Sequence, residues 1–339
     1  MVSIEDIRKP IAEDFGNYEK TFAKAVVSDN RLLSDVFSLI TTHKGKQLRP
    51  TLVLLAAAIC RQITNKTLLA ATALELMHTA TLVHDDVVDE SPIRRGLPSV
   101  NNMWGNKVAV LVGDYILSKT LEIVSQLRSV KIMSIVAQVG KALANGELMS
   151  LGTEKRGSDT TDIAGNTTEK EYFEIISGKT ASLFAACCKA GAASAGATER
   201  QEAAMSIFGE HLGMCFQMQD DILDFSDSDE LGKPTMHDIE EGKITLPLII
   251  SIKRAPSHEI EDIKQAIVVL QDKKASNEKR FKAEQDIKSF VLRYDGIRYT
   301  KQKIEEHRRQ AIDILDIFEP SEIKKAMIDL LNFSISRMN

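Results

Sequence analysis

Apolar residues recur three and four positions apart along nearly the whole chain, the repeat that lines one face of an α-helix. In the last segment, Ile323, Ala326, Met327, Leu330 and Leu331 share a face behind Pro320 and Ser321, a helix breaker followed by an N-capping residue. No comparable run alternates as a half-buried strand does. From Leu48 to about Leu151, and again from Tyr172 to Phe225, apolar and small residues spread over more than one face, as in helices buried inside a bundle. After about Ala255 the pattern turns charged and amphipathic, which predicts an outer layer. The expected fold is all-α, a single large antiparallel helical bundle with one domain over 1–339.

Turn-forming residues interrupt the pattern at Ser91-Pro92, at 152–168, at 227–242 and at Asp295-Gly296. The polar stretch 152–168 reads as a flexible helix-helix connection, because the apolar helices on both sides look like one core and no internal repeat is present.

Composition narrows the picture. The chain has 339 residues, 43 Lys plus Arg against 48 Asp plus Glu, and a net charge of -5, so it offers no global attraction to nucleic acid or to an anionic membrane. An anionic ligand has to be held locally. The longest uncharged apolar run, Thr51 to Cys60, falls short of the ~18 residues of a membrane span. Glu5 and Asp6 stand where a secretory leader carries basic residues, so a cytoplasmic location is expected. The four cysteines, Cys60, Cys187, Cys188 and Cys215, lie in apolar segments without zinc-ligand or CxxC spacing, which suits reduced, packed thiols.

The chemistry sits in two copies of D-D-x-x-D: Asp85, Asp86 and Asp89 in LVHDDVVDE, and Asp220, Asp221 and Asp224 in FQMQDDILDF. With 23 Asp in 339 residues, roughly 0.1 chance match is expected. On a helix the first and third Asp of each set lie one turn apart on one face, with the second beside them. Such carboxylates among Val83, Val87, Val88, Ile222, Leu223 and Phe225 repel one another and need cations. All-oxygen ligation on a moderately open face suits Mg²⁺, which keeps waters and is shared with substrate phosphates. Lys46, Arg49, Arg94, Arg95, Lys179, Lys233 and Lys243 lie near the breaks, and this mix of Arg and Lys beside two acidic clusters fits more than one diphosphate.

These residues resemble the trans-isoprenyl diphosphate synthases, particularly the long-chain, octaprenyl-type polyprenyl diphosphate synthases, over nearly the whole chain. The likeness rests on GKQLRP (Gly45 to Pro50), MHTATLVHDDVVDESPIRRG (Met77 to Gly96), GDYILS (Gly113 to Ser118), SGKTASLF (Ser177 to Phe184), FQMQDDILDF (Phe216 to Phe225) and LGKPTMHDIEEGKITLPL (Leu231 to Leu248). It implies the isoprenoid synthase fold, with the two aspartate motifs facing each other across a deep central cavity. It implies Mg²⁺, three per active site with substrate bound, on Asp85, Asp89 and Asp220, with Asp86, Asp221 and Asp224 as further ligands or supports. The implied reaction adds isopentenyl diphosphate head-to-tail to an allylic diphosphate, with farnesyl or geranylgeranyl diphosphate as primer.

The resemblance places isopentenyl diphosphate on Lys46, Arg49, His78 and Arg95, and the leaving diphosphate near Arg94, Lys179, Lys233 and Lys243. Thr180 and Gln217 match positions lining the reacting carbons, Phe216 forms a wall beside them, and the released pyrophosphate takes the final proton. Ser150 departs from the family, where Gln or Asp is common. Met77, Ala80 and Thr81, up to ~12 Å before Asp85 along the helix, would set product length. Their lack of aromatic rings implies about thirty-five to forty carbons, serving quinone side chains. A homodimer is the family expectation, with transient membrane contact for release of so apolar a product. A shorter-chain geranylgeranyl diphosphate synthase and the catalytic half of a heteromer remain open alternatives. A class I terpene cyclase fits less well, since its second metal motif differs and it needs no GKQLRP site.

Overall fold

The computed structural model describes residues 2–42, 45–157, 167–226, 235–272 and 274–336, with the backbone course alone for 154–157. It is all-α as expected: the only strands among the described residues are β1 (Ile93–Arg94) and β2 (Leu97–Pro98), which pair antiparallel. In chain order the helices that build the site are α1 (Ile4–Arg8), α2 (Ala12–Ala25), α3 (Arg31–Thr42), α4 (Leu48–Cys60), α5 (Asn65–Val88), α6 (Val100–Trp104), α7 (Asn106–Gln126), α8 (Val130–Gly157), α9 (Glu169–Ile176), α10 (Ser182–Ser194) and α11 (Glu199–Asp224). Contacts gather the chain into two compact units, one of Met1–Lys141, Ser182–Glu210 and Ala311–Phe333, the other of Ala142–Ala181, His211–Gln310 and Ser334–Asn339.

The first unit is organised on α5, which packs against α2, α4, α7 and α10. It can meet neighbours on several sides because it buries Ala70, Ala71, Ala73, Leu74, Leu76, Met77, Ala80 and Val83 around its circumference. Glycines set two close approaches. A Cβ on Gly191 of α10 would fall 2.2 Å from the Val53 carbonyl oxygen of α4, and one on Gly113 of α7 would fall 2.1 Å from the His84 ring of α5. Ser321 caps the last helix, Glu322–Ile335, its hydroxyl accepting from the Lys324 N–H at 3.1 Å. Ala326, Met327, Leu330 and Leu331 are buried, as the apolar stripe predicted.

In the second unit the charged helices after Ala255 carry a core of their own. Ile263, Ala266, Ile267 and Leu270 of Ser257–Gln271 meet Ala283, Ile287, Phe290 and Val291 of Asn277–Arg293, along with Leu248, Ile252, Met236 and Ile239. The sequence put loops at 152–168 and 227–242. Instead α8 continues to Gly157, sustained by the helix formers Glu154, Lys155 and Arg156, and a short helix occupies His237–Glu240. The remainder of those loops, 158–166 and 227–234 with Lys233, lies outside the described residues. All four thiols are free. Burial pushes Cys60, Cys187 and Cys215 up to about 12, so they are unreactive packing groups.

Two stability effects follow from this packing. Gly191→Ala should cost ~1–3 kcal/mol or more, because it drives a methyl into backbone, whereas Gly16→Ala in α2, with nothing within 4 Å, should gain up to ~1 kcal/mol of helix propensity; thermal melts of both variants check the opposite signs. His307 shares one Nδ1 proton with His211 at 2.8 Å, and burial, with His211 adding to it, pushes His307 down to about 4. The unfolded chain therefore takes up a second proton on this imidazole between pH ~6.5 and 4 while the folded chain resists it, so stability present above pH ~6.5 is lost as pH falls. His307→Gln should flatten that part of the pH–melting profile.

Candidate active site

The first acidic motif ends α5. Asp85 and Asp89 are half-buried while Asp86 is turned inward, where its Oδ1 accepts from Arg94 Nε at 2.7 Å and Nη2 at 2.5 Å. Burial raises the Asp86 pKa and Arg94 opposes the shift. The backbone of this helix end is closed by Ser91 N–H and Asn101 Nδ2, which donate to the Asp86 carbonyl at 3.0 and 2.9 Å. Arg94 reaches Asp86 from a two-residue hairpin whose loop, Arg95-Gly96, has φ of 52° and 78°, the positive pair that a tight turn between twisted strands demands.

Arg95 packs against the GKQLRP turn: a Cβ on Gly45 would lie 3.2 Å from its Cζ, and Gly45 itself has φ of 62°. Arg49 follows in the first turn of α4, its guanidinium 5.0 Å from the centre of the Phe184 ring, and Lys46 Nζ lies 4.7 Å over Phe333. Around them burial pushes His78 well down, with Arg49, Arg95 and Arg94 adding to the shift, so the imidazole is neutral. Glu75 is buried too, and burial pushes its carboxyl up against the pull of Arg49, Arg95 and Arg8. The structure thus brings Arg49, His78 and Arg95 near one another, and adds Glu75, which sequence reading missed. Glu75 lies a single turn before His78, but nothing in an isolated sequence separates it from a surface glutamate.

The second acidic motif ends α11. Asp220 is exposed, Asp224 half-buried and Asp221 buried. Asp221 is held on both oxygens, Oδ1 by Gln217 Nε2 at 2.9 Å and Oδ2 by the buried Tyr172 hydroxyl, while Gln217 Oε1 accepts from Thr180 Oγ1 at 2.8 Å. Thr180 and Gln217 are thus paired in a single polar chain with Asp221, and Phe216 is a half-buried neighbour of Gln217 on α11. Lys179 and Thr180 lie in a π-helical turn, Ser177–Ala181, that follows α9. That turn crosses α8 at glycines, since a Cβ on Gly146 would stand 2.5 Å from the Lys179 nitrogen. Lys179 Nζ pairs with Glu147 at 2.6 Å, and Lys243 Nζ with Glu241 at 2.6 Å.

Asp224 accepts from the backbone N–H of His237 at 2.9 Å and of Asp238 at 3.2 Å. Asp238 was missed in the sequence although LGKPTMHDIEEGK contains it; its half-buried carboxyl is pushed up to about 7 by burial and then by Asp224, while burial pushes Asp224 up to about 6. Asp221 is pushed well up by burial and then by Asp238. Burial and mutual repulsion oppose ionisation of Asp221, Asp224 and Asp238, and a divalent cation beside them would favour it. The donors are hard oxygens, which fits Mg²⁺ or Ca²⁺. Among the described residues no three acid, imidazole or thiol groups converge closely enough to hold an ion alone. Ser150 is buried, and so are Met77 and Ala80, with Thr81 half-buried and its hydroxyl donating to the His78 carbonyl at 2.8 Å.

An all-helical fold carrying two aspartate-rich helix ends and an arginine cradle defines a class, and comparison with known proteins agrees with it. The polyprenyl synthetase profile matches residues 30–285. The octaprenyl diphosphate synthase of Haemophilus influenzae is 34% identical over 338 residues, 99% of this chain and 98% of that protein. Two solved structures align with a TM-score of 0.88 at 29% identity. One is a Caulobacter crescentus polyprenyl synthase complexed with calcium and isoprenyl diphosphate, covering 99% of this chain and 98% of that one; the other is a Rhodobacter capsulatus decaprenyl diphosphate synthase, covering 99% and 100%. The chain belongs to the polyprenyl synthetase family and is a prenyltransferase.

Tyr172→Phe keeps the ring and removes one donor from a buried carboxylate, at a cost of ~1.5–3 kcal/mol. A lower melting temperature together with about tenfold slower prenyl transfer is expected; wild-type values for both would show that Asp221 does not depend on Tyr172.

Proposed function

We propose that this prenyltransferase condenses isopentenyl diphosphate with an allylic diphosphate, farnesyl or geranylgeranyl diphosphate, and repeats the step to a long all-trans polyprenyl diphosphate of about thirty-five to forty carbons, for quinone side chains. The observation that carries this reading is the presence of two unlike charge clusters. One is a cradle of arginines with a single buried glutamate, suited to a diphosphate that stays attached; the other is acidic, suited to a diphosphate that departs with bound cations. In this reading 1–339 works as one prenyltransferase domain.

Lys46, Arg49 and Arg95 hold the isopentenyl diphosphate, with neutral His78 donating to it. Arg94, Lys179 and Lys243 gather at the allylic diphosphate, with Lys233 as a fourth clamp. Asp85, Asp89 and Asp220 would hold Mg²⁺, three ions when loaded, which would supply fixed positive charge to the leaving group; Asp86, Asp221 and Asp224 would hold those helix ends in place or complete the ligation. The allylic C–O bond breaks with its electron pair leaving on pyrophosphate, and the isopentenyl double bond attacks the resulting cation. A proton is then lost to the released pyrophosphate, leaving a new trans double bond. Thr180 and Gln217 turn oxygen lone pairs toward developing positive charge, and Phe216 keeps water out.

The tail runs along α5 past Thr81, Ala80 and Met77. Ala80 is fully buried and presents only a methyl group, which favours a long product over a shorter one. No helix among the described residues is long and apolar enough to cross a membrane, and we place the protein in the cytoplasm with transient membrane contact at product release. Leu111 and Leu121 of α7 are 68% and 61% exposed, an apolar face that a second copy would cover in a homodimer.

Purified protein with Mg²⁺, isopentenyl diphosphate and farnesyl diphosphate should give a ladder ending near one long polyprenyl diphosphate. Asp85→Ala and Asp220→Ala should each lose at least about 100-fold in rate, and Ala80→Phe should shorten the final product with elongation retained. Absence of elongation from any allylic primer, or a full-length product from Ala80→Phe, would contradict the assignment or the tail path respectively.

A further inference from the structure

We propose that Arg8, on the amino-terminal helix α1, is a positioning residue for the diphosphate cradle of the GKQLRP turn. The proposal rests on the reading of Lys46, Arg49 and Arg95 as the isopentenyl diphosphate site, and it adds what holds that turn in shape. Arg8 comes from a helix whose start is fixed by a reciprocal Ser3–Asp6 capping box. Its half-buried guanidinium crosses to a segment some forty residues away. Nη2 donates to the Lys46 carbonyl at 2.5 Å and to the Gln47 carbonyl at 3.2 Å, and Nε donates to Thr51 Oγ1 at 2.9 Å. Thr51 in turn donates to the same Gln47 carbonyl at 2.8 Å, and the guanidinium lies 3.9 Å from the centre of the Phe15 ring. Burial lowers the Arg8 pKa, but Glu5, Glu19, Tyr18 and Glu75 oppose the shift and an arginine keeps its proton there.

This turn needs such a hold. Gln47 has φ of 44° and Gly45 φ of 62°, so a non-glycine residue sits in the left-handed region directly before α4. Conformations of that kind persist where surrounding groups over-determine them. The direction of the bonds also matters. In a trans peptide the carbonyl and the following N–H point opposite ways. With the Lys46 and Gln47 carbonyls drawn to Arg8, the N–H groups of Gln47 and Leu48 face away from it, at the amino end of a helix, where an anion is favoured. Arg8 thus fixes donors and side-chain origins for a diphosphate it does not touch.

The test is steady-state kinetics on the full chain with each substrate varied separately. Arg8→Gln should raise KM for isopentenyl diphosphate about tenfold or more, with kcat and KM for farnesyl diphosphate within about twofold of wild type. Arg8→Lys, which keeps the charge but not the fork, should recover part of that loss. Thr51→Val, which removes one member of the network and leaves Arg8 in place, should raise the same KM by a smaller factor; it carries the test if Arg8→Gln fails to fold. Both KM values moving together, a fall in kcat alone, or no change in any variant would overturn the proposal. Wild-type elongation separately checks the functional reading. If the wild type elongates nothing while Arg8→Gln still weakens binding of inorganic pyrophosphate by calorimetry, the positioning role stands and the substrate assignment falls.

Discussion

A helix ends in about half a negative charge, and this chain places three carboxyl groups against that end twice, in the last turns of α5 and α11. Each placement opposes both the macrodipole and like-charge repulsion, so the surrounding structure is arranged to offset it. At α5 the work falls to Arg94, Ser91 and Asn101 around Asp86. At α11 it falls to Tyr172 and Gln217 on Asp221 and to two backbone N–H groups on Asp224. In both motifs the middle aspartate is drawn into the protein. Asp85, Asp89 and Asp220 are left nearer the surface as the groups most able to meet a cation. The repeated motif is thus an inward-held aspartate with less buried carboxyls beside it, and the hairpin, the π-helical turn and the 236–239 segment hold those inward groups in place.

The helical character, the capping of the last helix by Ser321 and the two acidic motifs were legible because each depends on spacing within a few residues. The residues found only in three dimensions depend on partners far along the chain. Tyr172 lies 49 positions from Asp221, and Arg8 lies 38 from Lys46. Asp238 was in plain view within a quoted motif, but its role comes from proximity to Asp224, which a short helix in a supposed loop provides. The continuation of α8 to Gly157 was hidden for a different reason: a polar stretch with glycines at both ends reads as a connection even when its interior favours helix.

The positive groups divide in a way the sequence could not show. Lys179, Lys243 and Arg94 each sit on a carboxylate, Glu147, Glu241 and Asp86, so their charge is largely cancelled locally. Arg49, Arg95 and Arg8 share the field of one buried glutamate, and His78 stays neutral among them. Under the proposed function this difference has a chemical use. The diphosphate that remains on its substrate meets arginines grouped around a buried site, where charge acts strongly. The diphosphate that must leave meets lysines whose carboxylates compete for them, so stabilisation of departing negative charge is weak until the anion and its cations displace those pairs. Ionisation of an allylic diphosphate in a half-filled, wet site would end in hydrolysis. In that reading, lysines neutralised by Glu147 and Glu241 in the resting protein tie strong stabilisation to a loaded site, and the Lys179–Glu147 pair lies on a turn and a helix that approach closely at Gly146.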